Sequence, residues 1–103
     1  MAADLLWRPQ AREDLLEIFE VIGFDDPAAA ERVLAAFQAR VATLVDHPRL
    51  GARRADIRPA ARVLIERRYL ILYETHPDTD EGPVDAVEIV RVVDGRRDLT
   101  NLS

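Results

Sequence analysis

Two runs near the C-terminus, residues 62–75 and 84–93, are dense in valine, isoleucine, leucine and tyrosine. They demand burial more than any other part of the chain. Each is too short to span a membrane, and the β-branched and aromatic content favours strand. Between them lies His76-Pro77-Asp78-Thr79-Asp80-Glu81-Gly82-Pro83, crowded with turn formers. The pattern predicts an antiparallel sheet with strands at 62–66, 69–75 and 84–93, the first two joined by a tight turn at 66–68. Tyr69-Leu70-Ile71-Leu72-Tyr73 is apolar without a break. Such a run fits a central strand covered on both faces, or one covered on a single face with the other awaiting a partner. A turn and charged tail, Asp94-Gly95-Arg96-Arg97-Asp98, follow.

Upstream, Asp4-Leu5-Leu6-Trp7-Arg8 is short, apolar and bounded by Pro9, and reads as a brief strand on a sheet edge whose neighbour the residues do not reveal. Pro9 suits the first turn of a helix, where its missing N–H costs nothing. Ala11, Leu15, Ile18, Phe19 and Ile22 then recur at helical spacing, with Arg12, Glu13, Asp14, Glu17 and Glu20 assigned to the other face and Gly23 as the stop. Asp26-Pro27 caps and opens a second helix, striped by Ala30, Val33, Leu34, Phe37, Val41, Leu44 and Val45 and closed by Asp46-His47-Pro48. The short connection implies an antiparallel helical hairpin. Residues 50–59 show no period and read as an arginine-rich loop. The expected architecture is α+β: an N-terminal edge strand, then a helical hairpin packed on a mainly antiparallel sheet completed by three C-terminal strands.

At 103 residues the chain makes one domain, 1–103, with 49% hydrophobic and 32% charged residues, as in an ordinary soluble protein. It has no cysteine, which excludes disulfides, thiolate metal sites and cysteine nucleophiles. No signal peptide or spanning run is visible, so a cytoplasmic location is expected, with no membrane partner. The net charge of −5 weighs against binding driven by phosphate neutralisation, and no specific nucleic-acid binding is expected. All 14 basic residues are arginine, half of them crowded between Arg49 and Arg68.

These segments, in this order, resemble the ParE/RelE superfamily of toxins from bacterial toxin–antitoxin pairs, also called plasmid-stabilisation proteins. The likeness rests on Trp7-Arg8-Pro9-Gln10-Ala11 leading into Glu13-Asp14-Leu15-Leu16-Glu17-Ile18. It rests also on Leu44-Val45-Asp46-His47-Pro48-Arg49-Leu50-Gly51, on Arg62, on Tyr69-Leu70-Ile71-Leu72-Tyr73, and on the stretch from Val87 to Asp98 with its Gly95-Arg96-Arg97-Asp98 ending. The resemblance implies a type II toxin silenced by a cognate ParD-like antitoxin. ParE-like members act on DNA gyrase, whereas RelE-like members cut mRNA on the ribosome. A relative that has lost toxicity and only binds its antitoxin is a further alternative.

RNA cleavage of the RelE type needs a basic cluster and a C-terminal acid or base. Arg62 and Arg91 could hold a phosphate, but the chain has no lysine, and after Asp98 neither tyrosine nor histidine follows. The expectation is therefore a gyrase inhibitor rather than an enzyme, with no cofactor and no metal. His47 and His76 flank prolines and read as turn residues. The resemblance places target binding at Arg62, Arg67, Arg68, Arg96 and Arg97. It places antitoxin binding at Leu5, Leu6, Trp7, Arg53, Arg54, Arg58, Tyr69 and Tyr73, with the arginines facing an acidic tail. For the two tyrosines core packing is the competing reading, and for the arginines between Arg53 and Arg68 it is a solvated loop with scattered ion pairs. Asp78, Asp80 and Glu81 lack the spacing of a calcium loop.

Overall fold

A computed structural model describes residues 2–96. In chain order the elements are β1 (Asp4–Trp7), α1 (Pro9–Asp25), α2 (Pro27–Asp46), β2 (Ala52–Arg53), β3 (Arg62–Glu66), β4 (Tyr69–His76) and β5 (Ala86–Asp94). The five strands form one sheet in the order β1-β5-β4-β3-β2. Neighbours from β5 to β2 are antiparallel, and β1 lies parallel to β5 on the edge, from Asp4 opposite Ala86 to Trp7 opposite Ile89. The edge strand, hairpin and three long strands match the expected α+β layout. β2 was not expected: a two-residue strand has no alternation to read, and it pairs Ala52 with Val63 and Arg53 with Arg62.

Both helices cover one sheet face. Phe37, Val41 and Leu44 of α2 and Ala11 of α1 are buried there against Leu64, Ile71, Tyr73, Val87, Ile89 and Val92. Leu15, Ile18 and Val33 pack at the margin of this core. Phe37 meets the Tyr69 ring edge-on, with centroids 5.4 Å apart. The opposite face carries a second cluster, in which Val63, Leu72, Val90 and Val93 are joined by Ile57 from the connection before β3. The apolar run of β4 is thus buried on both faces, the first of the two alternatives its sequence allowed.

α1 passes through Gly23 and ends at Asp25, contrary to expectation. A helical glycine costs only about 1 kcal/mol, which tertiary packing overrides. The stop comes instead from Asp26, which is extended and caps α2 by accepting the Ala29 N–H at 3.1 Å.

In β5 the pairing steps from Leu72↔Arg91 to Tyr73↔Ile89, leaving Val90 without an opposite residue. This β-bulge shifts the alternation, so Val87 and Ile89 before it and Val92 after it all face the helices.

Phe37 is 1% exposed. Truncating a buried aromatic leaves a cavity, so Phe37→Ala should cost about 3–5 kcal/mol. Chemical denaturation of wild type and variant measures it; an unmoved midpoint would place Phe37 outside the core.

Candidate functional site

A groove of about 550 Å³ runs between the two helices and the edge strand. β1 contributes Leu5 and Trp7, the side chains that alternate toward the helices. Leu6 points away and is 48% exposed, so it takes no part in the groove. α1 contributes Arg12, Leu15, Leu16 and Phe19, and α2 contributes Leu34, Gln38 and Val41. Arg12-Leu16-Phe19 and Leu34-Gln38-Val41 are both i, i+4, i+7 rows, so each helix turns one edge of its surface into the groove. Leu16 is 57% exposed, which is unusual for a leucine beside an apolar cavity. Sequence reasoning named Leu5 and Trp7 here but missed Arg12, Leu16, Phe19 and Leu34. In sequence, Phe19 and Leu34 read as part of the helical stripes and Arg12 as outer face; that the apolar surface was wider than the sheet could cover was not visible.

Asp14, expected on the outer face of α1, is buried instead. Its carboxylate accepts from Arg91 Nε at 2.7 Å and Nη2 at 3.1 Å, from Gln10 Nε2 at 3.0 Å, and from the Val92 N–H at 3.0 Å. β1 pairs with β5 only as far as Ile89, and the Val92 N–H beyond it goes to Asp14. Burial pushes the Asp14 carboxyl up, but the hydrogen bonds from Arg91, Val92 and Gln10 outweigh it and hold the group below its usual range. Arg91 is therefore committed to a structural tie and does not join Arg62 in a phosphate site.

Arg62 lies at the start of β3, almost fully buried. Its Nη1 donates to the Gly51 carbonyl at 3.0 Å, its Nη2 is 3.4 Å from Asp80, and its Nε has no hydrogen-bond partner. Tyr73, its cross-strand neighbour, accepts from the Gly51 N–H at 2.8 Å and donates to the Pro48 carbonyl at 2.9 Å. Burial pushes the Tyr73 hydroxyl above its usual range. A side chain at Gly51 would sit 2.7 Å from the Tyr73 ring, which explains a glycine shortly after His47-Pro48. Tyr73 and Tyr69 are thus core residues, and neither offers a partner the surface expected of it.

The arginine cluster expected to draw an acidic partner is answered within the chain. Arg53 holds Asp78 at 2.9 Å and Asp80 at 2.8 Å, Arg54 holds Asp56 at 2.9 Å, and Arg58 holds Glu74 at 3.1 Å. Arg49 donates to Thr79 and Gly82 in the same acidic connection. The loop between β4 and β5, read as turn residues only, is folded over these cations.

Arg67, Arg68 and Arg96 come together at the opposite end of the sheet, where the Gly95 N–H donates to the Arg68 carbonyl at 2.7 Å. Arg67 takes the left-handed conformation of the β3–β4 turn, with φ 57°. Arg68 lies 5.2 Å over the Tyr69 ring and 3.5 Å from Asp94, which Arg96 also holds at 3.0 Å. The hydrogen bond from Arg96 lowers the Asp94 carboxyl to about 2. Arg62 lies at the far end of β3 from this tip, and Arg97 is outside the described residues.

On the outer sheet face, Glu74, His76 and Glu88 could offer ligand atoms within 4.8 Å of one another. The Arg8 guanidinium already lies against both carboxylates, 2.7 Å from Glu88 and 3.7 Å from Glu74. Among the described residues no helix is long and apolar enough to cross a membrane.

A family model described as ParE toxin of type II toxin-antitoxin system, parDE, matches residues 5–99. Among solved structures, the chain is similar to one described as the chromosomal ParDE TA system from P. aeruginosa. The TM-score is 0.71 at 22% identity, covering 90% of this chain and 96% of that one, a likeness of fold. No curated protein matches the chain.

Because Asp14 titrates lower in the folded chain, its contribution is whole above the unfolded value of about 3.9 and is lost as pH falls through the folded value. Asp14→Asn should destabilise the protein at pH 7 by about 3 kcal/mol, since the part-buried Arg91 is left without its counter-charge. It should also flatten the acid limb of the stability curve. Parallel curves for the two proteins, measured by denaturation from pH 7 to pH 3, would show that Asp14 titrates as a free carboxylate.

Proposed function

The chain belongs to the ParE toxin family of type II toxin–antitoxin systems, and from that premise we propose that it is held silent by a ParD-like antitoxin and inhibits DNA gyrase when released. The observation that carries the antitoxin half is the open groove: an apolar channel between two helices, beside a free strand edge. An amphipathic helix can bury its stripe against Leu15, Leu16, Phe19, Leu34 and Val41, and an extended segment can pair with the outer edge of β1. A disordered segment that folds there gains this burial while meeting its ordering cost on binding.

The target surface is the basic tip at Arg67, Arg68 and Arg96; Arg97, expected with them, lies outside the described residues. Among the described residues Asp94 is the only carboxylate paired with these arginines, so the tip keeps uncompensated positive charge. Arg62, buried and engaged, is not part of that surface. Ribosome-dependent cleavage has less support, since Arg62 and Arg91 are held apart by different partners and lysine is absent.

The two surfaces can be separated by mutation. Arg67→Glu with Arg68→Glu should abolish inhibition of gyrase supercoiling yet leave co-purification with the adjoining gene's product intact. Leu16→Glu should do the reverse, because it puts a charge into the apolar groove. Ribosome-dependent mRNA cutting with normal supercoiling would overturn the gyrase reading. Failure of the two neighbouring gene products to co-purify would overturn the antitoxin reading.

A further inference from the structure

We propose that Arg12 selects the antitoxin: the helix that fills the groove must carry one acidic residue facing Arg12, at the end of an otherwise apolar stripe. This rests on the antitoxin reading of the groove given above. Of the groove's lining residues only Arg12 and Gln38 are polar, and only Arg12 is charged. Among the described residues the Arg12 side chain has no ionic or hydrogen-bonded partner, whereas Arg49, Arg53, Arg54, Arg58, Arg62 and Arg91 are all engaged.

Arg12 is exposed in the free chain and can be solvated. A helix laid in the groove covers the surface beside it. If apolar atoms cover the guanidinium, its hydration is lost with nothing in return. If a carboxylate meets it, two charge-assisted hydrogen bonds replace the water. The same residue therefore rewards one occupant and penalises others, which is how specificity arises among helices of similar hydrophobicity.

The charge wanted is local. The chain carries a net charge of −5, α1 exposes Glu13, Glu17 and Glu20, and the arginines around Arg53 already hold the chain's own carboxylates. A broadly acidic tail has little to meet. One carboxylate at the Arg12 end of the groove has a waiting partner, and Gln38 can read a polar neighbour without adding charge.

The test uses the full chain and the purified product of the adjoining gene, with affinity measured by calorimetry at low and high salt. Arg12→Glu should weaken binding on the order of 30-fold or more. Arg32→Glu, the same charge change on an exposed residue of α2 outside the groove, should change it by no more than about 3-fold. Reversing one acidic residue of the antitoxin helix to arginine should restore binding to Arg12→Glu and weaken binding to wild type. Thermal melts of both variants keep folding apart from recognition. If wild type binds and the two variants bind equally, or no reversal restores affinity, Arg12 is not the selector and the antitoxin reading stands. If wild type does not bind, both fall.

Discussion

The Asp14 carboxylate is the interaction on which the arrangement depends. β1 pairs with β5 only as far as Ile89, and beyond that point Asp14 reaches across from α1 to accept the Val92 N–H together with the Arg91 guanidinium. A buried carboxylate and a part-buried guanidinium are each costly alone, so the two fix one another's position. That fixes where α1 crosses the sheet. α2 follows through its contact with α1 and through Phe37 on Tyr69. The space left between the helices and β1 is the groove, so its width is set by a polar tie in the core rather than by the residues that line it.

Most of the described arginines are answered by the chain's own acceptors. The acidic connection between β4 and β5 folds back on Arg49, Arg53 and Arg62, and Glu74 and Glu88 hold Arg58 and Arg8 on the outer face. These contacts tie the short β2 and the loops to the sheet, which a chain of this size needs. Among the described residues Arg12 stands without a partner beside the apolar groove, and Arg67, Arg68 and Arg96 form a tip with Asp94 as their one paired carboxylate. The groove and the arginine tip are separate surfaces that flank α1, which lines the groove through Leu15, Leu16 and Phe19 and meets Arg68 and Asp94 through Asp14 and Glu17.

Much of this was legible in the sequence, and the parts that were not have physical reasons. The strands at β3, β4 and β5 announced themselves by β-branched runs, and the helical hairpin by Pro9, Asp26-Pro27 and a 3.6-residue stripe. The family likeness was carried by short motifs whose roles are now visible, such as Gly51 making room for Tyr73. Long-range polar pairing was not legible. Asp14 reads as one more surface acid on an amphipathic helix until Arg91 and Val92, the latter 78 residues away, supply its partners. The arginine cluster reads equally as a surface for an acidic partner or as a loop with scattered ion pairs, and the loop carrying Asp78 and Asp80 closes on it. Tyr69 and Tyr73 looked able to serve a partner because alternation gives the face and not what covers it.

The central claim is that the groove beside β1 is where the antitoxin sits. Hydrogen exchange of the chain, alone and with the product of the adjoining gene, tests it directly, because helix docking and strand addition both protect backbone amides. Added protection is expected in β1 from Leu5 to Trp7 and along the groove-lining turns of α1 and α2 around Leu16 and Leu34. Protection confined to the outer sheet face around Ile57, Val63 and Leu70, with β1 unchanged, would contradict it.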